Sequence, residues 1–196
     1  ANVSYNKNKL LELYNGVEEY VNSTTGLKYV VGHSVREYFM NRYAGVNPAN
    51  GDALWYTADG ELTTEFREED KVMTGKSFDS PWVGGFGTSL MWKGLSLSAQ
   101  FSWMAKRYVM NNDRFFEESN GLYSAYNQSK RLLYDRWKKP GDITDIPRYG
   151  VTAQLDDRFL ENSSFLRLKN LTLAYAFPQS LLKKTNFFTS ARVYLQ

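Results

Sequence analysis

The chain has 196 residues, 24 Lys and Arg against 21 Asp and Glu, a formal charge of +3, one histidine and no cysteine. A disulfide framework and any cysteine-ligated metal site are excluded, and the basic excess is too small to mark a nucleic-acid surface. Aromatics make up 16%, with Tyr (14) and Phe (12) dominant, which suits either a Tyr-rich β-domain in water or a strand-built membrane protein with aromatics at its two water boundaries. The mean hydropathy of −0.51 does not separate these, because membrane strands alternate and their loops are polar. No run approaches the 18 apolar residues of a spanning helix. Residues 1–10 (ANVSYNKNKL) lack the apolar stretch of a signal peptide. With no initiator Met and a strand-like ARVYLQ at the end, the chain reads as an internal piece of something longer.

In chain order, residues 1–9 alternate like a strand, Val3 and Tyr5 against Asn2, Ser4 and Asn6. Residues 10–81 form a polar segment too long to be a simple connection. Within it, 27–43 predicts one extended segment, Asn50-Gly51 a turn, and 52–66 a small hairpin about Asp59-Gly60. From Gly84 to Lys106 the pattern is sharpest. After the turn Lys93-Gly94, Leu95, Leu97, Ala99, Phe101 and Trp103 fall on one face, and Ser96, Ser98, Gln100 and Ser102 on the other. About ten residues of this kind are what a tilted strand needs to cross a bilayer. A second long connection, 107–162, predicts a helix through Leu122, Ala125, Ser129, Leu132, Leu133 and Trp137, ended by Pro140-Gly141. Residues 163–177 predict another strand. Arg167 and Lys169 break its alternation, so either they lie beyond the apolar band or a bulge near Asn170 shifts the phase. Pro178 ends it, Gln179–Asn186 connects, and FFTSARVYLQ begins one more strand.

Short connections therefore alternate with very long ones, the habit of outer-membrane barrels with tight periplasmic turns and extended extracellular loops. About five principal strands cannot close a barrel alone. Bacterial barrels have at least eight, and an open edge in lipid is prohibitive. The fold class expected is all-β: part of an antiparallel transmembrane β-barrel with long extracellular loops.

Ser96, Ser98, Gln100 and Ser102 are expected to face the lumen. Trp55, Tyr56, Trp137 and Tyr149 lie in predicted loops and could stack on sugar rings; the competing reading is that they pack the loops together. His33 has no metal-ligand spacing around it. Glu68-Glu69-Asp70 and Glu117-Glu118 read as solvated acidic runs, since no calcium-loop spacing accompanies them. Asp142 and Asp145, three apart beside Arg148, read as turn hydrogen bonds and a salt bridge rather than a glycosidase pair. No catalytic residue, metal or cofactor is expected. Asn-x-Ser/Thr triplets begin at Asn2, Asn22, Asn127, Asn162 and Asn170, as chance allows in a chain of this composition.

Five segments, NVSYNKNKLLEL (2–13), VGHSVREYFMNRYAGVNPANGDALWY (31–56), SPWVGGFGTSLMWKGLSLSAQFSW (80–103), RWKKPGDITDIPR (136–148) and SSFLRLKNLTLAYAFP (163–178), together resemble the SusC/RagA-type TonB-dependent outer-membrane transporters of Bacteroidetes. They stand in that family's order and cover most of the chain. The resemblance implies a place in the C-terminal half of a plugged barrel of roughly 22 strands, with the plug, TonB box and closing strand absent here. It also implies a role in active import of oligomeric nutrients, oligosaccharides first and oligopeptides as a variant. The implied partners are a SusD-like surface lipoprotein, the TonB complex and outer-membrane lipid, with no nucleic acid. The alternatives are a soluble carbohydrate-binding β-domain, which needs a partner sheet over the Leu95–Trp103 face, and a glycoside hydrolase piece, which needs a carboxylate pair the sequence does not offer.

Overall fold

The computed structural model describes residues 1–22, 27–185 and 187–196, without the side chain of Thr185. Ser23 and Thr24 of the triplet at Asn22, and Asn186 at the end of the 179–186 connection, lie outside them. The chain divides into two compact units, each discontinuous in sequence. One holds Ala1–Lys7, Ser80–Lys106 and Ser164–Gln196; the other holds Asn8–Asp79 and Arg107–Ser163, the two long connections.

The first unit is a five-stranded antiparallel sheet of β1 (Asn2–Tyr5), β2 (Trp82–Trp92), β3 (Leu95–Ala105), β4 (Phe165–Ala176) and β5 (Arg192–Leu195), neighbours in that order. The β2–β3 turn is two residues long. Lys93 (φ 45°) and Gly94 (φ 87°) both take left-handed backbone, the geometry that matches the twist of a two-residue hairpin. A Cβ on Gly94 would lie 2.6 Å from the Ala176 carbonyl oxygen, so the crossing of β4 also demands glycine there.

Register gathers most of the large apolar side chains on one face, although Met91, Val83, Met104 and Tyr194 fall on the other. Leu95, Leu97, Phe101 and Trp103 of β3 sit opposite Trp92, Leu90, Phe86 and Gly84 of β2. On the other side they meet Tyr175, Leu173, Leu168 and Leu166 of β4. Val3 and Tyr5 extend this face through Gly84 and Trp82, and Leu195 and Val193 extend it through Leu173 and Tyr175. Phe86 stacks on Phe101 at 4.8 Å and Tyr5 packs tilted against Trp82 at 4.4 Å, cross-strand aromatic pairs of the kind that stabilise a sheet face. The opposite face carries Ser89, Ser96, Ser98, Gln100, Ser102 and Thr172.

Of the two alternatives for Arg167 and Lys169, the bulge near Asn170 is the one present. Gln100 pairs with Asn170 and Phe101 with Leu168, leaving Lys169 as the extra residue. That single insertion returns Leu166 and Leu168 to the apolar face and puts Arg167 on the polar face opposite Ser102. Without it, the first half of β4 would turn its charges onto the leucine face.

In the second unit, the predicted single extended segment 27–43 is instead three strands, Lys28–Val30, Glu37–Met40 and Arg42–Val46. Gly32 (φ 93°) breaks the run at the first turn. The 52–66 hairpin forms as expected, Ala53–Tyr56 against Leu62–Thr63, with only Gly60 of the Asp59-Gly60 pair at positive φ. Ala53–Tyr56 also pairs with Arg42–Val46. The predicted 122–137 helix shrinks to one turn, Arg131–Tyr134, with a separate short helix at Asn112–Glu117. Asn120 (φ 52°) and Gly121 (φ 109°) turn the chain away from helix. Phe116, Tyr123 and Tyr126 then form an aromatic cluster from neighbouring turns. The helical spacing of the apolar residues was a coincidence of those turns.

Candidate functional site

The core of the second unit is where the two long connections grip each other. Asp156 and Asp157, from the second connection, supply the grip. Asp156 is fully buried, and its Oδ2 accepts the Trp55 indole N–H at 2.8 Å. Asp157 Oδ1 accepts the Tyr43 backbone N–H at 2.8 Å, and its Oδ2 takes the Lys76 ammonium at 3.0 Å. The Asp157 N–H donates to the carbonyl of the fully buried Asn41 at 3.1 Å. Arg158 lies over the Tyr43 ring at 4.1 Å and beside the Asp156 carboxylate at 3.1 Å. Phe159 and Ala153 close the apolar side.

Burial pushes the Asp156 carboxyl up to about 6, against the pull of Arg158 and the Trp55 hydrogen bond. Burial likewise pushes the Tyr43 phenol upward. The folded value of Asp156 exceeds that of an unfolded carboxyl, so the proton is held more tightly in the folded unit. Its contribution to stability is complete below about pH 4 and is lost as pH rises through about 6, on the order of 2 to 3 kcal/mol in all. We expect the wild-type unit to lose this much between pH 4 and 7 in denaturant unfolding, and Asp156→Asn to flatten that slope. An unchanged slope in the variant would remove Asp156 as its source.

A second polar cluster ties the segments of the 107–163 connection to one another. Arg131 makes paired 2.7 Å bonds to both Asp145 oxygens and a 2.7 Å bond to the buried Glu118; Arg114 meets Glu118 at 3.0 Å. Burial raises the Asp145 carboxyl, but the Arg131 hydrogen bonds and charge outweigh it and the net direction is down. Asp142 Oδ2 accepts the backbone N–H groups of Lys138 and Lys139, both at 3.0 Å. These bonds, the first ahead of an opposing desolvation, lower its carboxyl. The turn-and-salt-bridge reading of Asp142 and Asp145 therefore holds, with one correction. The partners of Asp145 are Arg131 and, at 3.5 Å, Arg114, while Arg148 pairs with Asp52 at 2.9 Å. His33 Nδ1 lies 3.0 Å from Glu37 Oε2. In the 68–70 run Asp70 is buried and accepts the Ala58 N–H at 3.0 Å, and Glu118 of 117–118 is buried; neither is part of a solvated face.

The four expected stacking aromatics separate. Trp55 is only 4% exposed and flanked edge-on by Tyr43 and Phe66, a packed position, and it lines an open groove of about 430 Å³ with Asp52, Thr64 and Gln154. Trp137 covers Gly51, where a Cβ would overlap its ring, and donates its indole N–H to the Pro48 carbonyl at 3.1 Å. Tyr56 is partly exposed under Arg42 at 5.4 Å. Tyr149 is 72% exposed, with Arg136 over its ring at 5.1 Å. It lines an open groove of about 440 Å³ with Leu132, Leu133, Lys130 and Arg136. Ser96, Ser98, Gln100 and Ser102 share one face of the sheet, and Ser96 takes a 3.4 Å bond from Arg192. Asp156, Asn120 and Arg131 were missed in the sequence, and Glu118 was misread. Adjacent acids or a polar Asn in a loop carry no pattern that separates a buried anchor from a solvated side chain.

No protein-family profile matches the chain. It is 26% identical over 214 aligned residues to the TonB-dependent receptor P3 of Formosa agariphila, taking in 99% of this chain and 21% of that receptor. It is 22% identical over 188 residues to the TonB-dependent receptor P39 of the same organism, 91% of this chain and 17% of that receptor. Among solved structures, the RagAB peptide transporter superposes with a TM-score of 0.84 at 36% identity, over 97% of this chain and 22% of that one. The RagAB peptide importer in its "closed-closed" state gives 0.84 at 37%, again over 97% and 22%. The chain thus spans about a fifth of the length of the relatives it matches. Along nearly its whole length it is similar to TonB-dependent receptors. Within that class it resembles the SusC/RagA type, as the five sequence segments implied.

Proposed function

We propose that this chain forms part of the C-terminal half of a transmembrane β-barrel, roughly 22-stranded, in an outer-membrane TonB-dependent importer of oligomeric nutrients. The observation that carries the reading is the sheet's apolar face. Leu90, Trp92, Leu166, Leu173 and Leu195 are all exposed on it, and no partner sheet covers them among the described residues. Aromatics bound it at both ends: Tyr5, Trp82 and Trp103 where the long connections leave, Trp92, Tyr175 and Phe177 at the short turns. From the Trp82 level to the Trp92 level β2 advances ten residues, about 33 Å along the strand, or about 25 Å of height at a tilt near 40°. That matches the apolar band of an outer-membrane barrel and its two aromatic girdles. Ser96, Ser98, Gln100 and Ser102 then line the lumen, facing the plug or the transport path.

The long connections form an extracellular unit that works with a SusD-like surface lipoprotein, and TonB supplies the energy through parts of the protein that precede this stretch. The peptide named for the similar RagAB structures favours oligopeptides over oligosaccharides as the cargo. Catalysis is not part of the reading: Asp142 and Asp145 are committed to a turn and to Arg131. The carbohydrate-binding alternative needs a partner sheet over the apolar face, and none covers it among the described residues.

Purifying the full-length protein from native membranes tests this. It should partition into the detergent-extracted outer membrane, change gel mobility on heating and bring a lipoprotein with it. A detergent-independent monomer would make the Leu95–Trp103 face a protein core and end the proposal.

A further inference from the structure

Resting on the importer reading, we propose that the groove beside Tyr149 receives the C-terminal end of an oligopeptide, with the carboxylate held by Arg136 and Lys130 and an apolar last side chain against Leu132 and Leu133. The groove is open, about 440 Å³, within the range of ligand pockets. Its floor is apolar: Leu132 is buried, while Leu133 is 63% and Tyr149 72% exposed. Its charge is one-signed. The nearby arginines Arg114, Arg131 and Arg148 are each neutralised by carboxylates. Arg136 and Lys130 have no ion-pair partner among the described residues, so the groove is left with an uncompensated cationic rim.

The rim is also positioned. Asn120, only 2% exposed, donates to the carbonyls of Pro147, Arg148 and Val151 at 3.3, 2.8 and 2.7 Å. Its Oδ1 accepts from Arg136 Nη1 at 3.4 Å. One buried amide thereby fixes the loop carrying Tyr149 and the arginine lying over its ring. Stacking occupies the flat face of a guanidinium and leaves its N–H edge to bind a carboxylate in two-pronged fashion. A neutral glycan would leave that edge and its charge unused. A peptide terminus satisfies both the charge and the apolar floor.

The test uses the full-length transporter with its co-purifying lipoprotein and a fluorescein-labelled Gly-Gly-Ser-Leu-Leu peptide, as the free acid and as the C-terminal amide. The free acid should bind about tenfold more tightly than the amide, the scale of one charge-assisted contact. Arg136→Gln should erase that difference, and Leu133→Ser should weaken acid and amide alike. Equal binding of acid and amide by the wild type, no binding of either, or a difference that survives Arg136→Gln would overturn the assignment. Heat-modifiable mobility of the same preparations reads the barrel separately, so loss of the groove and loss of the importer reading are told apart.

Discussion

Replacing Trp55 with alanine will destabilise the unit built from the long connections by on the order of 3 to 5 kcal/mol, the usual cost of deleting a buried aromatic. Two losses combine. The ring leaves a cavity between Tyr43 and Phe66, and Asp156 loses the indole N–H that satisfies its buried Oδ2. Trp55→Phe keeps most of the volume and should cost about 1 to 3 kcal/mol, mainly the unmet carboxylate oxygen. Limited proteolysis of the full-length protein in detergent reads this directly. Cleavage should appear within residues 8–79 and 107–163 of Trp55→Ala, while the strands of the sheet stay protected. If the variant resisted protease like the wild type and lost only ligand affinity, Trp55 would be a contact residue after all.

Arginine at position 97 and arginine at position 98 should behave in opposite ways. Leu97 lies mid-strand on the apolar face between Leu90 and Leu173; Ser98, one residue on, lies between Ser89 and Thr172. In a lipid-facing wall, Leu97→Arg costs about 2 to 4 kcal/mol near the bilayer midplane, whereas a lumen substitution changes selectivity more than stability. Urea titrations of the full-length protein folded into phospholipid vesicles supply the comparison. Equal costs for the two variants, or a neutral Leu97→Arg, would mean that this face does not meet lipid.

The sheet was legible because its information is local. Period-two alternation from Leu95 to Trp103 fixes a strand and its two faces, and Lys93-Gly94 fixes the turn. The irregularity at Lys169 was one of two readings that Arg167 and Lys169 on a leucine face allowed, and only the register of the sheet chose it. The long connections were legible only at their glycines, Gly51 and Gly60. Their structure rests on pairings more than a hundred residues apart, such as Tyr43 with Asp157 and Trp55 with Asp156. No window along the chain contains both partners. The same limit explains two of the misread features. Trp55 in a polar segment looks like an exposed stacking residue until Asp156 is placed against it, and the apolar spacing from Leu122 to Trp137 looks helical until Asn120 binds the 147–151 backbone.

The discontinuity of that second unit bears on how new specificities arise in such a protein. The buried core is shared between the connections: Asn41, Tyr43 and Trp55 come from one, Asp156, Asp157 and Phe159 from the other. A chimaera that imports a single connection from a relative inherits half of each buried pairing and mismatches the rest. Recombination that preserves folding must exchange both stretches at once, leaving the intervening hairpin, residues 80–106, in place between two swapped cassettes.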